Sequence, residues 1–505
     1  MDLKHIFRPY ILACLVALIL ALPTFINGAP FFYEDSFGYV ARGVGPLRAM
    51  GGDFRAGHIL LRDELGRAPT VLSATMPVQP VAAESKQPKY DIVWHAGRSI
   101  FYSVVTYLSY VFAGFTGVVA LQALLVALPI TLLWKRCLDL PDRWLLSASA
   151  LLAFATSLGL FVGLVMPDFM AAVVILISAM LLAFRSRLLI IDMAMLSAVL
   201  VYAASVHDSH LVILSILVVG AWVLYLAGFL RKIEEQGYAA PALMTLALCA
   251  GLIGSQAYSA LAVHITGKPL LRLPHLTAHL VSMPLGADYL NQKCPQAGFD
   301  MCLYRDKLPI SWIDFMFGHS LWGDLPYPEQ QRISNQQVSL LLTIFKDRPV
   351  ATTVAFGNDA LKQLILISYF DLDQARKVPF FSTQMPPAMV NQITSSLLVR
   401  YPALLEIQSL VQQTIVLITL PVLVILGFRI SATTDPLIRK WRLMAGVVFL
   451  GVVVNGFVCG LLAFPYDRFQ VRVIWLIPFL AMTGWALVYS RVKEYLQVAR
   501  TECHA

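Results

Sequence analysis

Runs of about 18 to 22 apolar residues recur along this chain, each long enough to cross a hydrocarbon core of about 30 Å as a helix. A chain with so many such runs has few folds open to it. It is 58% hydrophobic and only 13% charged, with mean hydropathy +0.70, far too apolar for a soluble domain. The expected fold class is therefore an all-α polytopic membrane protein. About ten spans are predicted, near 10–28, 115–134, 144–164, 168–184, 188–206, 210–229, 240–263, 409–428, 443–463 and 472–490. No internal repeat is visible.

Basic residues orient the bundle. Lys4 and Arg8 precede the first span, and Lys135-Arg136, Arg185 with Arg187, Arg231-Lys232, Arg439-Lys440 and Arg491 with Lys493 fall in every second connection. Both termini are then expected in the cytoplasm. Most of the net charge of +8 reflects this bias. It is not a nucleic-acid signal, because no basic patch with interleaved aromatics occurs. Residues 1–28 lack a clear small-residue cleavage site, so the first span is expected to stay as an anchor.

This topology puts two large segments outside, 29–114 and 264–408. The predicted organisation is an N-terminal transmembrane module over 1–263, an extracytoplasmic helical subdomain over 264–408, and C-terminal spans with a short tail over 409–505. In the first outer segment, residues 36–63 carry Arg42, Arg48, Arg55 and Arg62 among apolar residues, as interfacial helices do. Residues 66–90, with Pro69, Pro77, Pro80 and Pro88, read as a loop. The second segment has helix-like stretches near 330–347 and 353–371. It also holds Cys294 and Cys302, read as a disulfide in an oxidising compartment. The alternative, a metal pair, lacks a second Cys/His pair at ligand spacing.

Candidate chemistry gathers at the outer surface. Glu34 and Asp35 sit in the aromatic stretch Phe31-Phe32-Tyr33-Glu34-Asp35-Ser36-Phe37-Gly38-Tyr39. Two adjacent carboxylates near an apolar surface can have their pKa values pushed apart, leaving one as a base near neutral pH. They could also hold a divalent cation such as Mg or Mn against a phosphate. A span-end turn with Asp35 or Ser36 as helix cap is the plain alternative. Asp168 lies at the same depth and could be a cap or a site group. His207-Asp208-Ser209-His210 joins two spans; the His207/His210 spacing suits one metal on a helical turn, or the four polar residues line a cavity. Arg98, Lys268, Arg272, Arg468 and Arg472 run against the inside-positive bias, and a lipid phosphate would explain them; snorkelling to ordinary headgroups is the alternative. Arg468 and Arg472 are spaced to share a helix face. No P-loop, Rossmann glycine pattern, G-x-S-x-G or H-E-x-x-H occurs.

The layout, together with Glu34-Asp35 followed by Tyr39, resembles the GT-C glycosyltransferases, which include protein mannosyltransferases and lipid A aminoarabinose transferases. The resemblance implies a sugar donor carried on a polyprenyl phosphate and a glycan, lipid or protein acceptor. It implies inversion at the sugar carbon, with Asp35 first and Glu34 second as the general base. Asp168 would position substrate or bind metal with Asp35, and Tyr39, His207 and His210 would line the site. Arg98, Lys268, Arg468 and Arg472 would hold the donor phosphate. The stretch from Leu273-Pro274-His275 to Leu308-Pro309 is similar to one in proteobacterial membrane proteins, which implies a Gram-negative inner membrane with a periplasmic site.

Two rivals share the setting. A polymerase or ligase of lipid-linked oligosaccharides would usually carry arginine-rich outer motifs. A transporter or flippase should show inverted repeats and broken spans near the midplane, and the sequence displays neither.

Overall fold

The computed structural model describes residues 3–43, 96, 99–232, 237–317, 321–385, 387–430 and 435–502. The later interfacial helices and the proline-rich loop expected in the first outer segment, Arg98 and Cys503 all lie outside them.

The N-terminal module comprises α1 (Leu3–Asn27), α2 (Ser36–Arg42), α3 (Ile100–Leu132), α4 (Asp142–Ala155), α5 (Leu158–Gly163), α6 (Met170–Phe184), α7 (Ile190–Ser205), α8 (Asp208–Leu226) and α9 (Ala239–Thr266). The second outer segment folds into α10 (His275–Ser282), α11 (Pro284–Lys293), α12 (Trp312–Met316), α13 (Tyr327–Asp347), α14 (Pro349–Ile365), α15 (Gln374–Gln384), α16 (Pro387–Thr394) and α17 (Leu397–Arg400). Then follow α18 (Ala403–Ile430), α19 (Pro436–Leu462), α20 (Asp467–Ile474) and α21 (Leu476–Glu502). The chain is an all-α polytopic membrane protein.

Eight helices among the described residues are long and apolar enough to cross a membrane. The other two predicted spans are shorter or divided. The fifth is the helix Ile190–Ser205. The third is broken between α4 and α5 at Thr156-Ser157, where side chains take over the interrupted backbone ladder. Thr156 Oγ1 donates to Leu152 O at 2.5 Å, Ser157 N to Gln412 Oε1 at 2.6 Å and Ser157 Oγ to Val471 O at 2.7 Å. A second break lies inside α3 at Ala113-Gly114. Gly114 has φ +61°, a conformation that costs glycine little and other residues more. The expectation of unbroken spans is thus corrected for the third span, whereas Gly114 lies just before the predicted second one; hydropathy sums over a run and does not register local backbone exchanges.

Every residue of α6 is buried, which makes it the centre of the bundle. A wholly apolar helix has no face to offer water, so its neighbours enclose it. At one end of the bundle Arg8 and Lys135 pair with Asp142, and Arg136 lies 3.4 Å from the fully buried Asp192. The opposite end carries the second outer segment and residues 29–43 of the first.

The second outer segment has its own apolar core, with Leu280, Leu290, Met301, Phe315 and Ile344 among its buried members, and a disulfide joins Cys294 to Cys302. It docks on α19 through glycines. A Cβ on Gly460 would come within 2.8 Å of Ala360 Cα and Asp359 O, and one on Gly456 within 2.5 Å of Leu364 Cδ2. Small residues spaced by four let two helix backbones approach closely. Within the segment, His279 Nε2 makes a 2.8 Å contact to Asp359 Oδ2.

Candidate functional site

Backbone pairing fixes where the Glu34-Asp35 pair sits. Phe31 forms a short parallel bridge with Leu164. Phe31 N donates to Gly163 O and Val165 N to Phe31 O, both at 3.0 Å. Gly163 is required here, because a Cβ would meet Thr24 Oγ1 at 2.0 Å and the Phe31 ring at 2.8 Å. Ser36 Oγ accepts from Tyr33 N at 2.8 Å, three residues back, which closes the turn ahead of α2. The carboxylates therefore stand on a tight turn between a bridged strand-like residue and a helix. On the other limb of that bridge, Met166-Pro167 leads into Asp168, just before α6, and its side chain is buried. The start of a helix favours a carboxylate there.

Two glutamines tie the second outer segment to the same place. Gln374 accepts from Phe32 N at 2.9 Å and donates to Phe32 O at 2.8 Å. Gln363 makes the equivalent pair with Tyr466 N and O, both at 2.8 Å. A primary amide that bonds both polar groups of one residue acts as a substitute strand, so each clamp holds a site loop without a sheet.

The loop after α19 delivers Arg468 and Arg472 on one face of α20, as their i, i+4 spacing predicts. Arg468 Nη1 lies 3.8 Å from Asp35 Oδ2, and its Nε 3.6 Å from Asp168 Oδ1. Arg472 Nη1 is also 3.6 Å from Asp168 Oδ1. All three contacts exceed the 2.7–2.9 Å or so of a closed charge-assisted hydrogen bond. The guanidiniums are held by other partners. Asn455 Oδ1 accepts from Arg472 Nε at 3.1 Å and Nη2 at 2.8 Å, and Ser209 Oγ lies 3.2 Å from the same Nη2. Arg472 Nη1 is buried without a hydrogen-bond acceptor. Arg468 packs over the Tyr33 ring at 4.1 Å, a cation–π contact.

Glu34 is engaged differently from Asp35. Its Oε1 lies 2.6 Å from Lys377 Nζ. Burial lowers the Lys377 pKa, and Glu34 opposes that shift. The ammonium also lies 3.9 Å from the Tyr33 ring. Asp371 carries a raised pKa, chiefly from burial and then from Asp467.

No family model, curated protein or solved structure matches the chain. The site is therefore described on its own geometry.

Of the residues singled out from sequence, Asp35, Asp168, Arg468 and Arg472 share one network of contacts. Tyr39 is buried on α2, its ring 5.1 Å from that of Tyr102. His207 caps α8, its Nδ1 accepting from Ser209 N at 3.2 Å, and so sits one residue from the Arg472 network. Burial, reinforced by Arg472, pushes the His207 pKa down to about 4, leaving it neutral at pH 7. His210 donates from Nδ1 to Ala203 O at 2.8 Å, a helix-joining bond rather than a contact to the carboxylates. Lys268 lies 5.1 Å from the Tyr327 ring, a contact within the second outer segment. Among the described residues no group of three or more His, Cys, Asp or Glu is placed to hold a metal. The cation that touches both Asp35 and Asp168 is Arg468.

Sequence reasoning missed Lys377, Tyr33, Gln374 and Asn455. Only Asn455 left a signal, as an amide within the long apolar run of α19, where a polar side chain needs a partner.

Proposed function

We propose that the chain is an inverting glycosyltransferase that moves a sugar from a polyprenyl-phosphate donor to a hydroxyl acceptor at the periplasmic face of the inner membrane. The observation that carries this reading is the convergence of Asp35 and Asp168 on Arg468 and Arg472, at the ends of several apolar helices. In the proposed step Asp35 takes the proton of the acceptor hydroxyl. The acceptor oxygen bonds to the anomeric carbon from the side opposite the leaving group. The bond from that carbon to the phosphate oxygen breaks, and polyprenyl phosphate departs with the electron pair. Arg468 and Arg472 meet the charge gathering on the phosphate, where fixed donors in a water-poor site act most strongly. Their contacts at 3.6–3.8 Å are open enough for a phosphate oxygen to compete for the same N–H groups. The closed Lys377–Glu34 pair supports Asp35 rather than Glu34 as the base. A divalent cation at Asp35 and Asp168 would have to share both carboxylates with Arg468. If one binds there, it would add positive charge at the leaving phosphate.

Asp35→Asn keeps the shape and removes the base, so transfer should fall by about 10²–10⁴-fold. The measurement is lipid-linked sugar analysis in a strain lacking this protein and complemented with the variant. Unchanged glycolipids in the deletion strain, or full complementation by Asp35→Asn, would end the proposal.

A further inference from the structure

In the second outer segment, at the edge of the site, His275 and Trp312 stack face to face. Their ring centroids are 5.6 Å apart and their planes 12° from parallel. His275 opens α10 and Trp312 opens α12, so two helix starts hold the pair. The Trp312 ring continues to Tyr466 at 6.3 Å, and Tyr466 to Phe469 at 6.3 Å, the ring over which Arg468 lies at 5.2 Å. Asp35 is close enough for its charge to act on the His275 ring. The aromatic run thus leads from the outer segment to the arginine–carboxylate network.

Two atoms of this stack are anomalous. His275 Nδ1 and Trp312 Nε1 are both shielded from solvent and both lack a hydrogen-bond partner. Buried polar atoms are normally satisfied, and those left over in a native fold call for an explanation. Neither atom is used by the step proposed above. The two rings fill each other's inner faces, so a pyranose would use an outer face flanked by an unpaired N–H or N. Its C–H face lies on a ring, and its hydroxyls bond the polar edge. An acyl chain would leave both polar atoms unpaired.

We propose that His275 and Trp312 form a carbohydrate subsite that binds a sugar ring of the acceptor or donor by stacking, with Trp312 Nε1 donating to one hydroxyl and His275 Nδ1 bonding another. This rests on the transferase reading and supplies what that reading leaves open, a group that recognises the sugar itself. Trp312 is a binding residue here, not a catalytic one.

The test measures binding without transfer. The full chain in detergent is titrated with methyl glycosides of several hexoses and, as control, with inorganic phosphate, by saturation-transfer difference NMR. At least one glycoside should receive saturation on the C–H protons of one ring face. Trp312→Phe, which keeps a stacking ring and loses the N–H, should weaken that binding roughly tenfold, since the hydroxyl loses its donor. Trp312→Ala should abolish it. Phosphate should respond to neither change. The subsite is refuted if no glycoside binds, or if wild type and Trp312→Phe bind alike, and the latter comparison holds even where Trp312→Ala does not fold. The two proposals fail separately. Glycoside binding that depends on Trp312, beside full complementation by Asp35→Asn, would keep the subsite and remove the transferase.

Discussion

Lys377 Nζ lies 2.6 Å from Glu34 Oε1, joining residues 343 positions apart in the chain. The pair divides the labour of two adjacent carboxylates. Glu34 holds the outer segment onto the first loop, and Asp35 faces Arg468 of α20. Lys377→Met should release that latch, with a loss of about 0.5–1 kcal/mol in stability, because the Glu34 left behind is more than a third exposed and stays hydrated. Glu34→Gln should cost less than Lys377→Met, because an amide keeps an acceptor for the ammonium. Thermal melting in detergent of both single variants and the double variant checks this; strictly additive losses would mean that the two side chains are not coupled.

Arg472 is fully buried, and its closest hydrogen bonds go to Asn455. Asn455→Ala should therefore lower stability by about 1.5–3 kcal/mol, the usual scale for a hydrogen bond to a charged group. Arg472→Lys should not be tolerated either, since one ammonium cannot reach Asn455, Ser209 and Asp168 from a planar fork. The melting temperatures of both variants decide the point. A wild-type value for Asn455→Ala would show that Arg472 has other support.

The legible parts of this molecule are those that depend on one stretch of chain. Continuous apolar runs announce α1, α6 and α19, because crossing a bilayer requires length and hydropathy together. Cys294 and Cys302 are near enough in sequence to be paired by inspection, and the structure joins them. Lys377 was invisible for the opposite reason. It sits in an ordinary polar helix, and the clamp of Gln374 on Phe32, with Phe381 packed against the Phe32 ring, brings that helix to Glu34. The break at Thr156-Ser157 was hidden too, because the residues that repair it, Gln412 and Val471, lie in distant helices. The placement of charged residues at span ends could be read. Which of them touch could not, because that is set by the packing of the second outer segment.

That packing depends on Gly460. A methyl group there would strike the backbone of Asp359 and Ala360 at 2.8 Å, where no flexible side chain can yield. Gly460→Ala should push α14 away from α19 at a cost of about 1–3 kcal/mol. Gln363, on the same helix, would then lose its grip on Tyr466 and loosen the loop that carries Arg468. Limited proteolysis should cut the second outer segment faster in Gly460→Ala than in wild type. Equal rates would place the docking elsewhere.

His207 and His275 should each make the fold less stable in acid. Burial comes first among the causes that bring each to about 4, from an ordinary value of about 6.5. A folded pKa below the unfolded one means that the unfolded chain binds more protons in the window between them. Stability is then complete above about pH 6.5, falls as the pH drops from there, and has lost its full share by about pH 4. Near pH 5 each histidine should cost about 2 kcal/mol. His207→Asn isolates one of the two. Asparagine can accept from Ser209 N as a helix cap in place of the imidazole, and it does not titrate. The variant should melt close to wild type at pH 7.5 and lose less of its melting temperature on going to pH 5. If acid destabilises His207→Asn and wild type by the same amount, the neutral buried imidazole of His207 is not the source of the sensitivity.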